Sequence, residues 1–188
     1  MTSPVVLVLA SGRGERFVAS GGSGSKLQAL LGGKPVLEHT LDAVRASGLP
    51  WHLEDAGHAG MGDSIAAAVR ATRHADGWLV LPGDLPLVQP ETLRAVAAAL
   101  VQHAVVVPLY RGAAGHPVGF AAFCGEALSQ LAGAQGAAPV VRAQRAFNAV
   151  GALDLDDAGI VTDIDTAQDL AEAERRLALG SQNGRLRT

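Results

Sequence analysis

Along the chain, unbroken apolar runs alternate with stretches whose apolar positions recur every three or four residues. "VVLVLA" (5–10), "WLVLP" (78–82) and "AVVVPLY" (104–110) are short runs rich in β-branched residues and leucine. They lack polar alternation, which is the pattern of strands covered on both faces. "KPVLEHTLDAVRASG" (34–48) reads as a helix with Pro35 at its first position and Gly48 as its stop. "MGDSIAAAVRATRHA" (61–75) reads as a helix from about Asp63, with Asp63 or Ser64 as its cap. "PETLRAVAAALVQH" (90–103) is a helix opening at Pro90, and "TAQDLAEAERRLAL" (166–179) is a closing helix. Shorter pieces complete the pattern: strands at "WHL" (51–53) and "GHPVGFAAF" (115–123), helices over 126–131 and 138–145, and extended segments at 146–155 and 160–164.

Strands alternating with helices predict an α/β fold, a mostly parallel sheet with helices on both faces. No repeat or linker divides the chain, so residues 1–180 form one domain, and the polar segment 181–188 is expected to be a disordered tail. Ligands of such sheets sit outside the carboxyl ends of the strands. "SGRGERF" (11–17) follows the first strand and "PGDLP" (82–86) a second, so the two should meet at one rim.

Composition narrows the picture. Nearly half of the 188 residues are hydrophobic but only 4% are aromatic, so the core is built from Val, Leu and Ala. A net charge of −3 argues against a general nucleic-acid binder. No apolar run approaches the ~20 residues of a membrane span. The first residues carry no basic leader, and Cys124 is the single cysteine, so a cytoplasmic setting is expected. All but two of the 15 basic residues are arginine; the two lysines, Lys26 and Lys34, both lie beside glycines in the first 34 residues. A point charge on a long stem suits phosphate contact.

The glycine-rich stretch after the first strand fits neither of two common phosphate loops. A P-loop needs a hydroxyl residue directly after its lysine; here Leu27 follows Lys26 and Pro35 follows Lys34. A dinucleotide fingerprint needs a third glycine where Phe17 stands, and an acid about 20 residues on at the end of a second strand, which is missing.

What remains is the order L-A-[AS]-G-x-G-x-R, a glycine-rich stretch, Lys, then G-x-P. It is carried by Leu9, Ala10, Ser11, Gly12, Gly14, Arg16, Lys26, Gly33 and Pro35. This resembles the signature loop of the molybdopterin nucleotidyltransferases. Further segments fall in family order: "GMGDSIAAAV" (60–69) against G-M-x-x-S, "VLPGDLPLVQPETL" (80–93) against a strand ending in a metal-binding Asp, "GHPVGF" (115–120) against G-H-P-V, and "DIDTAQDL" (163–170) against D-x-D-T-x-x-D-L. Ser11 and the G-H-P-V segment place the chain nearer the cytidylyl-transferring branch than the guanylyl-transferring one.

The resemblance implies a Rossmann-like nucleotidyltransferase fold and Mg²⁺-dependent transfer of CMP from CTP to a molybdopterin-type cofactor, with a molybdoenzyme as eventual partner. It also implies the roles. Leu9, Ala10, Ser11, Gly12, Arg13, Gly14, Arg16 and Lys26 hold the triphosphate, with Gly62 and Ser64 beside the nucleotide. Arg16, Lys26 and Asp84 act at the reacting phosphate, and His116 lies toward the acceptor. Asp84 binds Mg²⁺ together with Asp163 or Asp165; on a strand those two would share a face. Thr166 and Asp169 equally fit a capping box that Asp165 supports, and Ser64 equally fits a helix cap.

The chain departs from the family pattern in three places. Residues 46–64 are too short for a strand–helix unit that the family carries there. "RFVASGGSGSKL" (16–27) is longer than usual, which makes it either a lid or a displacement of Lys26. Ala134 and Gln135 replace an acid on the acceptor side. Other readings are therefore transfer to another phosphorylated acceptor such as a sugar phosphate, or a catalytically weak, chaperone-like cofactor binder.

Overall fold

The computed structural model describes residues 3–12 and 14–185, and the apolar runs do form strands buried on both faces. In chain order the elements are β1 (Val5–Leu9), α1 (Glu15–Ala19), β2 (Leu30–Leu31), β3 (Lys34–Pro35), α2 (Val36–Ser47), β4 (Trp51–Glu54), α3 (Met61–Ala71), β5 (Gly77–Pro82) and α4 (Pro90–Ala99). Then follow β6 (Val105–Tyr110), β7 (Ala113–Ala114), β8 (Val118–Ala121), α5 (Gly125–Ser129), α6 (Ala138–Arg145), β9 (Val150–Asp154) and α7 (Ala167–Arg185). Among the described residues no helix is long and apolar enough to cross a membrane.

β4, β1 and β5 run parallel, with Leu7 paired to His52 on one side and to Val80 on the other. β8 then runs antiparallel between β5 and β6, and β9 pairs in parallel with the far side of β6. The sheet is thus mostly parallel with one reversed strand inside it. Its two faces explain the apolar runs. Val6, Val8, Leu79, Leu81 and Val106 face one core with Leu41 and Val44 of α2 and Leu93 and Val96 of α4. Their neighbours Leu7, Leu9, Trp78, Val80, Val105 and Val107 face the other core, with Ile65 and Val69 of α3, Leu128 of α5 and Val140 of α6. A strand between two helical layers has no polar face, hence no alternation.

Several expectations are corrected. Pro35 precedes α2 as its cap and pairs with Leu30 in a small hairpin, so the helix starts at Val36. α3 starts earlier than expected, at Met61 with Gly60 as cap; Ser64 lies in its first turn and donates to the Gly60 carbonyl. Residues 160–164 are not extended: 158–161 form a 3₁₀ turn, and Ile164 buries itself in a third small core with Phe17, Leu31, Val36 and Ala173. The short helix α1 inside the glycine-rich stretch was not anticipated. α7 runs into the segment set apart above as a tail. β4 is a sheet edge and residues 55–60 lead from it directly into α3, in keeping with the short 46–64 segment.

Asp157 ties the second half of the fold together. Its buried carboxylate accepts from the Gln89 amide (3.0 Å) and the Thr92 hydroxyl (2.7 Å) at the start of α4, and from the Gly159 amide (2.8 Å). Replacing it leaves those donors buried without acceptors. Asp157→Ala is expected to destabilise the protein by about 2–4 kcal/mol, read as a lower midpoint at unchanged slope in urea unfolding.

Candidate functional site

β1 and β5 lie side by side and both end at the same rim. Gly83, just past β5, donates to the Leu9 carbonyl at 2.9 Å, so the two strand tips are tied together. The approach is close: a Cβ at Gly83 would lie 2.9 Å from the Leu37 side chain and 3.1 Å from the Leu9 oxygen. That contact sets Asp84 beside the loop that leaves β1.

The loop itself is anchored. Gly14, at φ 64°, turns the chain into α1. Phe17 is buried in the third core, and Gly22 passes against its ring so closely that a Cβ would overlap it. The Ser20 hydroxyl accepts from the Ala167 amide at 2.9 Å, stitching the loop to α7. This returns the chain to the rim at Lys26 despite the extra length.

Lys26 is the centre of the site. Its ammonium donates to Asp84 Oδ2 at 2.5 Å and to Asp165 Oδ1 at 2.7 Å. Arg16 pairs with the other oxygen of Asp165 at 2.6 Å, although the Arg16 side chain is 79% exposed. Burial opposes the charge on Lys26, but the field of Asp84 and the hydrogen bonds to both carboxylates outweigh it and hold Lys26 above its ordinary value.

Two clefts meet at this cluster. The larger, about 410 Å³, is lined by Leu9, Ser11, Gly12, Lys26 and Asp84 at one end and by His58, Ala59, Gly60, Met61 and Ser64 at the other. The smaller, about 270 Å³, is lined by Gly12, Gly14, Glu15, Arg16, Phe17, Lys26 and Asp165. Gly12, Glu15 and Lys26 border both.

Of the residues singled out from the sequence, Leu9, Ser11, Gly12, Gly14, Arg16, Lys26, Ser64, Asp84 and Asp165 come together here. The Ser11 and Ser64 hydroxyls share a hydrogen bond at 2.6 Å, joining the β1 loop to α3. Ala10 donates its amide to the Glu54 carbonyl and does not line either cleft. Gly62 spends its amide on the Gly133 carbonyl at 2.8 Å and is packed so tightly against Ala132 that a Cβ would overlap it. Arg13 lies outside the described residues.

Asp163 and Asp165 do not behave as a pair, because their segment is not a strand. With Ile164 buried and its amide on the Asp84 carbonyl (2.9 Å), Asp165 reaches Lys26 while Asp163 stays exposed. The Thr166–Asp169 capping box is formed as well: the Thr166 amide donates to Asp169 at 2.7 Å and the Asp169 amide to the Thr166 hydroxyl at 3.1 Å. His116 lines neither cleft. Burial pushes its imidazole below the ordinary histidine value, against the Val80 carbonyl and the charges of Asp84 and Asp163.

The donor set suits a divalent cation. Asp84 Oδ1 is buried and has no hydrogen-bond partner among the described residues. It belongs to one of two carboxylates at a cleft wall, an arrangement that hard cations complete with phosphate oxygens and water.

The far wall holds His58, which sequence reasoning missed together with the groups behind it. Glu54, buried at the tip of β4, accepts from His58 at 3.0 Å, and His52 lies 3.4 Å from its other oxygen. Burial raises the Glu54 carboxyl, but the hydrogen bonds from His58, His52 and the Ala56 amide outweigh it and hold it below the ordinary value. The carboxylate of Glu54 thus serves as a hydrogen-bond acceptor that holds the His58 ring against the cleft. The only signal was the acid between two histidines in "WHLEDAGHAG" (51–60).

The profile of the family described as "MobA-like NTP transferase domain" matches residues 42–149, more than half of the chain. Among curated relatives, the bifunctional protein GlmU of Desulfitobacterium hafniense (strain DSM 10664 / DCB-2) is 28% identical over 134 residues, covering 60% of this chain and 29% of that protein. GlmU of Bordetella petrii is 34% identical over 128 residues, covering 54% of this chain and 27% of that one. The chain therefore spans less than a third of the length of the curated relatives it matches.

Among solved structures, Rv0371c from Mycobacterium tuberculosis H37Rv superposes with a TM-score of 0.77 at 24% identity, over 93% of this chain and 98% of that one. Its manganese complex gives 0.70 at 23%, over 93% and 99%. CMP:2-keto-3-deoxy-manno-octonic acid synthetase complexed with CTP gives 0.66 at 14%, over 96% and 100%. Molybdopterin-guanine dinucleotide biosynthesis protein A from Archaeoglobus fulgidus gives 0.64 at 18%, over 93% and 98%. At these identities the likeness is one of fold.

A group whose folded value is depressed stabilises the fold above its unfolded value, and that contribution disappears as pH falls through the folded one. Glu54→Gln is therefore expected to lower stability at neutral pH, with the gap to wild type closing as pH drops below the ordinary glutamate range. Urea unfolding of both proteins at a series of pH values measures it.

Proposed function

Because the chain belongs to the MobA-like NTP transferase domain family, we propose that it transfers CMP from CTP to a phosphorylated acceptor of molybdopterin type, releasing pyrophosphate. The observation that carries this reading is Lys26 at the junction of two clefts, bonded to both Asp84 and Asp165 where the tips of β1 and β5 meet.

In nucleotidyl transfer the protein mainly positions two anions and neutralises charge. The open backbone around Gly12 offers amides to the β- and γ-phosphates, since nothing crowds that glycine. Arg16, exposed and long, clamps the same phosphates. Lys26, bordering both clefts, sits where charge builds on the α-phosphate as the acceptor oxygen bonds to it and the bond to pyrophosphate breaks. Asp84 and Asp165 hold a divalent cation, Mg²⁺ in this reading; when bound, it supplies positive charge to the phosphate oxygens. Ser11 and Ser64 floor the larger cleft, and His58 and Met61 wall its nucleoside end.

The acceptor side supports a second reading. Residues 132–136 carry no acid, and Gly133 is engaged with α3 through Gly62 and Asp63. Gln135 is bonded to Arg142 at 3.1 Å. With those groups engaged, a phosphorylated acceptor other than molybdopterin, such as a sugar phosphate, fits the same chemistry.

Calorimetric titration with CTP, GTP and ATP, with and without Mg²⁺, tests the nucleotide. CTP is expected to bind selectively and with Mg²⁺, and Asp84→Asn to weaken that binding by about tenfold or more. No triphosphate binding at all would remove the reading in favour of a cofactor-binding protein. Pyrophosphate release on adding molybdopterin or sugar phosphates then separates the two acceptors.

A further inference from the structure

The carboxylates assigned to the cation are already engaged by two other cations. Lys26 Nζ lies 2.5 Å from Asp84 Oδ2 and 2.7 Å from Asp165 Oδ1, and Arg16 takes Asp165 Oδ2 at 2.6 Å. Of the four carboxylate oxygens, this leaves Asp84 Oδ1, buried and unpartnered. A magnesium or manganese ion needs carboxylate oxygens at about 2.1 Å, in the place the ammonium holds between the two side chains. The two acids and two bases of the cluster cancel, so an arriving dication meets two positive groups inside contact range, with Glu15, which lines both clefts, the further acid at the site.

Resting on the nucleotidyltransferase reading, we infer that Lys26 and the divalent cation are mutually exclusive partners of Asp84 and Asp165, and that the triphosphate draws Lys26 away. Polyphosphate is the one substrate group that offers Lys26 and Arg16 better acceptors than the aspartates. Gly12, Lys26 and Arg16 line the smaller cleft together, so the ammonium has only to swing on its own stem from carboxylate to phosphate. The cation then binds with the nucleotide rather than ahead of it. By linkage, each raises the affinity for the other. Lys26 thereby has two duties in sequence, keeping the metal site closed and then neutralising the reacting phosphate.

Manganese titration of the full chain without nucleotide, followed by loss of the free-ion paramagnetic resonance signal, tests this directly. Wild type is expected to bind Mn²⁺ weakly. Lys26→Met should bind it on the order of tenfold more tightly, and adding Asp84→Asn should abolish the gain. Removing Lys26 leaves two carboxylates facing each other, so its fold is checked by thermal unfolding. Arg16→Gln, at an exposed side chain, provides a second arm with a smaller gain. The inference falls if wild type binds Mn²⁺ through Asp84 as tightly as Lys26→Met, or if neither folded variant gains affinity. Should CTP fail to bind while the order Lys26→Met above Arg16→Gln above wild type holds, the nucleotidyltransferase reading fails and the competition stands. If CTP binds and that order is absent, only the competition is lost.

Discussion

The ion cluster of Lys26, Asp84, Asp165 and Arg16 is the interaction around which the rest of this protein is arranged. It joins three stretches far apart in sequence: the glycine-rich segment after β1, the tip of β5 and the lead-in to α7. A half-buried lysine between two carboxylates is stable only when all three are held in register, since removing one partner leaves an uncompensated charge. The fold supplies that register by independent means: the Gly83–Leu9 bond between strand tips, Phe17 and Ile164 in a shared small core, and the Ser20–Ala167 bond from loop to helix.

The same arrangement explains why the glycine-rich segment tolerates its extra length. Residues 18–25 lie between two fixed points, the buried Phe17 and the bonded Lys26. Loop closure costs rise only slowly with length, so added residues change little as long as both anchors hold. The segment spends its glycines on turning and on passing the Phe17 ring.

How much of this was legible in the sequence depended on the range of the forces involved. β1, β5 and β6 were readable because burial on both faces removes polar residues from the run itself. α2 and its Gly48 stop, with φ 72°, were readable because capping is local. The rim was readable because loops after parallel strands share an edge, and Asp84 and Lys26 lay on two of its loops. What could not be read depended on pairings across the chain. The Gly133 carbonyl takes the Gly62 amide at the start of α3, ahead of the cap expected at Asp63 or Ser64. Ile164 turns inward, which separates Asp163 from Asp165 although their spacing is that of strand neighbours. Asp157 in its loop had no local signature of the α4 cap it provides, sixty-odd residues away. Glu54 and His58 were hidden in an unremarkable polar stretch, and only the edge position of β4 sets Glu54 behind His58, which lines the cleft.

The bond between Gly62 and Gly133 has a consequence for how the molecule transmits stiffness. Gly133 is held from both sides, its carbonyl by the Gly62 amide and its own amide by Asp63 at 2.9 Å. Two residues on, Ser64 grips Ser11 in the loop leaving β1. The first turn of α3 is therefore bonded on one side to the segment around Gly133 and on the other to the loop leaving β1. Neither segment can shift against that turn without giving up a hydrogen bond, so one turn of helix ties two loops that are far apart in sequence.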